Sequence, residues 1–148
     1  MAGFFGAIKL DFTFLNKDLY KNELINNEIA INSNLYENHY CFAIYSNFKR
    51  DAVFFDESNE ISILFYGEIY NANTIKKKYS LESSITNPEL ILQIYQRNKN
   101  FVNELNGAFS FLIVDGKKNT IECYRDHLGI KPLFYSIEEG ILYFASEI

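Results

Sequence analysis

Few side chains in this sequence are suited to chemistry, and their spacing limits what they could do. Cys41 and Cys123 are the two cysteines, and His39 and His127 the two histidines. Thiols so far apart make neither a disulfide framework nor a metal cluster, so no metal site and no cofactor is expected. His127 stands in Arg125-Asp126-His127-Leu128-Gly129-Ile130-Lys131-Pro132. General acid–base work would need a partner within hydrogen-bond reach. Gly129 and Pro132 instead mark a tight turn, with Gly tolerating positive φ and Pro fixing φ near about −65°. His127 therefore reads as a turn residue, His39 likewise, and Arg125-Asp126 as a local ion pair worth under ~1 kcal/mol if exposed. Lys76-Lys77-Lys78, the one basic run, reads as a solvated helix face.

The elements that would position these residues follow from apolar periodicity. Phe4 to Phe14 alternates in part, with Ile8, Leu10, Phe12 and Phe14 on one parity, and predicts a first strand with a hairpin-like return. Residues 16–39 are polar and rich in Asn, without a firm pattern. Tyr40–Ser46 and Ala52–Phe55 are short strand candidates separated by a polar turn. Ile61–Tyr66 predicts a strand ended by Gly67, and Asn71 the cap of a helix over 72–79. Asn87 reads as the cap of a second helix over 88–98, with Pro88 at its first position, Glu89 in its first turn, and Leu90, Ile91, Ile94 and Tyr95 at helical spacing. A short helical or irregular piece follows at Phe101–Leu105. Ala108–Asp115 predicts a buried strand, turned by Asp115-Gly116 into Thr120–Arg125. Leu133–Ile137 and Ile141–Ser146 predict a last pair around Glu138-Glu139-Gly140. Strands, two helices and a run of antiparallel strands make an α+β class.

Composition narrows the function classes. The 148 residues are 48% hydrophobic and 17% aromatic, with 14 Phe, 11 Tyr and no Trp, which suits one sheet-rich domain with a real core. A net charge of −5 disfavours nucleic-acid binding. No apolar run approaches the ~18 residues of a membrane span, and no leader-like pattern is present. A cytoplasmic, reduced setting without membrane contact is expected.

Four stretches carry a family resemblance. Met1-Ala2-Gly3-Phe4-Phe5-Gly6 resembles the Met-Cys-Gly-Ile-Phe-Gly opening of class II glutamine amidotransferases, whose N-terminal Cys is nucleophile and, through its α-amine, base. Gly67-Glu68-Ile69-Tyr70-Asn71, Leu105-Asn106-Gly107-Ala108-Phe109-Ser110-Phe111, and Arg125 to Tyr135 with Phe144-Ala145-Ser146-Glu147 resemble the glutaminase domain of asparagine synthetases. The resemblance covers residues 2–148 as a single glutamine amidotransferase type 2-like domain. It implies the four-layer αββα sandwich of N-terminal-nucleophile hydrolases, with two mainly antiparallel sheets. The strand from Phe4 would be central, the two helices would lie on one face, and Phe109, Phe111 and Ile113 would point to the inter-sheet core or a helix layer.

Carried over residue by residue, the family's site is degenerate. Ala2 holds the nucleophile position, and a methyl group cannot attack an amide. The oxyanion positions are Tyr66, where the family has Asn, and Gly67, whose N–H remains. The acid that holds the substrate ammonium is replaced by Asn87, and no Arg stands near Cys41–Ala43 to grip a carboxylate. No His-Arg-Gly-Pro stretch is found. Only Glu68 survives of the polar side chains. Losing a nucleophile costs on the order of 10⁶ in kcat, and losing one oxyanion donor ~10²–10³ where the nucleophile is present.

The resemblance thus implies a catalytically inactive glutaminase-like domain. It would serve as a structural or partner-binding part of an ATP-dependent, amide-forming enzyme of the asparagine synthetase family, as in β-lactam synthetases or lasso-peptide cyclases. No Ser-Gly-Gly-x-Asp-Ser motif for adenylation is present. Two alternatives stay open: a free-standing interaction protein, or an Ala2 variant of a working glutamine-hydrolysing domain. The expected partner is a synthetase domain or subunit, or a second copy of the chain. The covered surface would include some of Tyr66, Tyr70, Phe134, Tyr135, Tyr143 and Phe144.

Overall fold

Strand β1, Gly3–Lys9, holds the central place in a five-stranded antiparallel sheet. It is seen in a computed structural model that describes residues 3–13, 15, 33–37, 40–46 and 53–146. Two compact units emerge, residues 1–50 with 133–148, and residues 51–132.

In the first unit, β1 lies between β3 (Cys41–Ser46) and β9 (Ile141–Ala145), with β2 (Ser33–Glu37) and β8 (Phe134–Glu138) outermost. Opposed residues in register share a face, so Phe4 and Ile8 join Phe144 and Leu142 in one buried layer. The Phe4 and Phe144 rings sit 5.9 Å apart. On the other face Ala7, Leu15 and Ile141 cluster with Phe5 and Tyr143 packed against them. The Phe4 N–H donates to Ser146 Oγ at 2.9 Å, and the Ser146 N–H returns a bond to the Phe4 carbonyl at 2.8 Å. These bonds tie the first strand to the segment that closes the sheet.

The expected hairpin return after β1 does not form. The strand stops at Lys9, the chain turns at Leu10-Asp11, and Phe12 adopts φ +56°. Both edges of β1 are filled by strands distant in sequence, which local alternation could not reveal. Phe14 and most of 16–39 lie outside the described residues, apart from β2.

The second unit has a four-stranded antiparallel sheet in the order β4 (Val53–Asp56), β5 (Ile61–Ile69), β6 (Gly107–Asp115), β7 (Thr120–Arg125). Helices α1 (Ala72–Lys78) and α2 (Asn87–Tyr95) and a 3-10 turn at Phe101–Glu104 connect β5 to β6. The odd-numbered residues Ile61, Ile63, Phe65, Phe109, Phe111 and Ile113 form one core with Ile75, Leu90, Ile91 and Ile94 of the helices. The parity expected for Phe109, Phe111 and Ile113 therefore meets a helix layer. Full burial of each such side chain contributes about 1.5–3 kcal/mol, enough to hold two helices of 7 and 9 residues that would be marginal alone.

Helix α2 begins one residue earlier than its sequence suggests. The cap is Thr86 rather than Asn87. Thr86 is extended, its hydroxyl accepts the Glu89 N–H at 3.4 Å, and the Glu89 carboxylate accepts the Thr86 N–H at 2.6 Å. This reciprocal box satisfies two donors that the helix itself cannot, whereas an Asn cap would satisfy one. Asn71 does stand at the α1 cap position, but its side chain does not cap. It donates to the Glu104 carbonyl at 2.8 Å and accepts the Asn106 N–H at 2.9 Å, pinning the start of α1 to the entry of β6.

Candidate functional site

Tyr66, Gly67 and Glu68 lie in succession on β5, which runs through Gly67 to Ile69 instead of ending there. Gly67 pairs with Phe109 while holding φ +118°. A Cβ at this position would fall 2.1 Å from the Ala108 carbonyl oxygen and 2.8 Å from the Phe109 Cα. A Cβ on Gly107 would fall 2.1 Å from the Glu68 carbonyl oxygen. The two glycines thus permit β5 and β6 to approach more closely than side chains would allow. This is why a residue that reads as a strand breaker sits inside a strand.

Register places Tyr66, Ser110 and Arg125 in one row across β5, β6 and β7, on the face opposite the helix core. Ser110 is fully buried, and its hydroxyl has no hydrogen-bond partner among the described residues. Arg125 is not paired with Asp126, contrary to expectation. Its Nε donates to the Lys131 carbonyl at 2.9 Å, and its Nη2 to the Gly129 carbonyl. Gly129, at φ +65°, leaves the space that the guanidinium fills: a Cβ there would lie 2.9 Å from Arg125 Cζ.

Asp126 is buried and organises the turn from inside. Its carboxylate accepts the N–H groups of Leu128, Ile130 and Lys131 at 3.0–3.1 Å and of Phe109 at 3.2 Å. Burial alone would raise its pKa; the four backbone donors outweigh that and hold the carboxyl below its ordinary value. His127 is exposed in this turn, as expected.

The turn delivers Lys131 to Tyr66. Lys131 Nζ lies 4.5 Å from the centre of the Tyr66 ring and 3.4 Å from its hydroxyl. Tyr66 is half-buried, and Glu68 is exposed, its carboxylate without a hydrogen-bond or ion-pair partner among the described residues. Asn87 is half-buried as the first residue of α2, and no hydrogen bond joins it to Tyr66, Gly67 or Glu68. Ala2 and His39 lie outside the described residues, while Cys41 and Ala43 are buried in β3. Cys41 and Cys123 are not joined in a disulfide.

The sequence reading missed Lys131 as the neighbour of Tyr66, because a contact 65 positions apart leaves no local trace. It also missed Glu104, which accepts Lys78 Nζ at 2.7 Å, the Tyr79 hydroxyl at 2.6 Å and Asn98 Nδ2 at 2.7 Å. The Thr86 cap could have been found from Thr-x-x-Glu alone. Of the aromatic residues expected at a surface, Tyr70, Phe134 and Tyr135 are exposed. Tyr66 and Tyr143 are half-buried, and Phe144 is buried in the first unit's core.

The family described as "Glutamine amidotransferase domain" matches residues 44–148. The chain belongs to that family. This amidotransferase domain is 41% identical over 91 residues to a putative glutamine-hydrolysing asparagine synthetase of Methanocaldococcus jannaschii, covering 60% of the chain and 18% of the relative. It is 37% identical over 98 residues to asparagine synthetase 2 of Bacillus subtilis, covering 64% and 13%. To asparagine synthetase B of Escherichia coli it is 38% identical over 87 residues, covering 55% and 16%. It is thus a class II glutamine amidotransferase domain of the asparagine synthetase family, and the matched segment spans less than a fifth of each of these relatives. A solved glutamine phosphoribosylpyrophosphate amidotransferase from B. subtilis is similar to it in fold, with a TM-score of 0.60 at 16% identity, covering 98% of the domain and 35% of that chain. The α+β class with two antiparallel sheets is that of an N-terminal-nucleophile amidotransferase. No helix among the described residues is long and apolar enough to cross a membrane.

Proposed function

We propose that this amidotransferase domain does not hydrolyse glutamine and is kept as a structural, partner-binding part of an ATP-dependent, amide-forming synthetase. The observation that carries the proposal is at Tyr66. Beside Gly67, where the family resemblance calls for an Asn amide, stands a phenol whose ring and hydroxyl are engaged by Lys131 Nζ. A phenol so placed does not supply the pair of oriented amide donors that stabilises a tetrahedral oxyanion. Ala2 at the nucleophile position and Asn87 at the position of the ammonium-binding acid point the same way. Glu68, still carboxylate and exposed, is the one polar side chain left of the substrate-binding set.

The synthetase partner follows from the relatives, which are named asparagine synthetases and extend well beyond the matched segment. It would be another region of the same polypeptide or a separate subunit, and the setting cytoplasmic. Ammonia release from glutamine tests the proposal, measured on the protein and on its Ala2→Cys and Ala2→Cys/Tyr66→Asn variants after their folding is checked by circular dichroism. None is expected to approach the rate of the E. coli relative, because neither variant restores the groups that orient the zwitterionic substrate. Ammonia release by Ala2→Cys at a comparable rate would overturn the reading of Tyr66 and Asn87.

A further inference from the structure

Among the described residues β8 is an outermost strand of the first unit's sheet, and it is exposed along its whole length. Every residue from Phe134 to Glu138 is exposed, with Phe134 at 41%, Tyr135 at 68% and Ile137 at 57%. The edges of the other sheet differ. All four residues of β4 are half-buried, and β7 mixes exposed with half-buried positions. Strand β8 pairs with β9 in unbroken register from Phe134↔Ala145 to Glu138↔Ile141, so no bulge twists its free side away. It contains neither Lys nor Pro, the residues that commonly blunt an edge. Its outward backbone groups and apolar side chains on both faces make a template for another strand. A helix laid on the sheet would cover one face only.

We propose that β8 pairs with β8 of a second copy of this chain, antiparallel about a two-fold axis centred on Ser136. Such an axis stands perpendicular to the sheet and returns every residue to its own face. Only residues of equal parity can then be opposed. Of the registers this allows, the one centred on Ser136 is the one that pairs all five residues. It sets Tyr135 against Ile137 of the second copy twice on one face, the aromatic and β-branched match that stabilises antiparallel pairs. On the other face Phe134 meets the stem of Glu138. The two Glu138 carboxylates stand at opposite ends, four residues or ~14 Å apart, beyond the ~8 Å over which salt leaves charges unscreened.

Area sets the strength of this pairing. The exposed surface of the five residues is on the order of 500 Å² per copy, so the pair buries at most about 1,000 Å². That is the lower bound for a specific contact and short of the ~1,200–2,000 Å² of stable ones. The dimer is therefore weak, and it forms with rising concentration.

Sedimentation equilibrium of the 148-residue chain from about 5 μM to about 500 μM tests this, a range that spans weak association. The expected result is an average mass rising from one copy towards two. Tyr135→Lys and Ile137→Lys should each hold the mass at one copy throughout, while Leu128→Lys, an exposed apolar position outside β8, should leave the rise intact. Circular dichroism confirms that the variants are folded. A chain that stays at one copy at the highest concentration overturns the proposal, as does a rise that both β8 variants share or that passes beyond two. The assay contains no glutamine, so its outcome is separate from that of the ammonia measurement.

Discussion

The Asp126 carboxylate accepts the backbone N–H of Phe109 at 3.2 Å, and the Asp126 N–H donates to the Phe109 carbonyl at 2.9 Å. This two-way bond joins the turn after β7 to the start of β6, in a buried setting. The same carboxylate holds three N–H groups of its own turn. Removing it leaves up to four donors without an acceptor, at about 1–3 kcal/mol for each that stays buried. Asp126→Ala should destabilise the fold by roughly 2–4 kcal/mol, once partial access of water to the turn is allowed for. Asp126→Asn keeps acceptor oxygen but loses the charge and should cost less. Urea denaturation of both variants checks the order, and an unchanged midpoint for Asp126→Ala would contradict the role given to this carboxylate.

Gly67 faces a harder constraint. Its φ of +118° disfavours any side chain, and the Ala108 carbonyl oxygen would lie 2.1 Å from a Cβ placed there. Relief would require β5 and β6 to move apart inside their nine-residue pairing, two residues from its end. Gly67→Ala is expected to cost more than ~3 kcal/mol, combining a strained backbone with loss of ladder bonds. A shift of thermal midpoint of only a few degrees would show that the strands can part cheaply.

Glu104 makes stability depend on pH. The Lys78 ammonium above all, then the Tyr79 hydroxyl, hold its pKa below the ordinary 4.5, with Asn98 adding to the effect and burial opposing it. A carboxyl whose pKa is depressed in the folded state stabilises the fold above its unfolded pKa. That contribution is lost as pH falls through the folded value. Asp126, depressed from 3.8, acts in the same sense. Denaturation midpoints should therefore fall on acidification below about pH 4.5, and the fall should be shallower in Glu104→Gln. Equal acid sensitivity in that variant would remove Glu104 from the account.

The turn between β8 and β9 offers a gain. Glu139 holds φ +50° and Gly140 φ +76°, a pair of left-handed residues that suits Asn-Gly better than Glu-Gly. Glu139→Asn should stabilise by about 0.5–1 kcal/mol, read as a raised thermal midpoint without change in cooperativity. A lowered midpoint would mean that the Glu139 side chain makes a contribution unrelated to its backbone.

Local pattern carried a good part of this protein. Alternation along Ile61–Tyr66 marked one strand and the apolar run Ala108–Asp115 a buried one, while Asp115-Gly116 and Glu139-Gly140 marked the hairpins, because side-chain parity and turn conformation depend on neighbours in the chain. The ordered motifs around Gly67, Gly107 and Arg125–Tyr135 carried the family. What sequence could not supply was every relation between distant residues. The place of β1 between β3 and β9 rests on partners up to 142 positions away, as in the Phe4–Ser146 bond. The close approach of Gly67 and Gly107 turned an apparent strand end into a strand interior. Asp126 looked like half of an ion pair with Arg125, but three N–H groups of its own turn and that of Phe109, brought in by the fold, converge on its carboxylate instead. Parity and turns are properties of a few adjacent bonds; acceptors, close contacts and exposed edges exist only once the chain has folded back on itself.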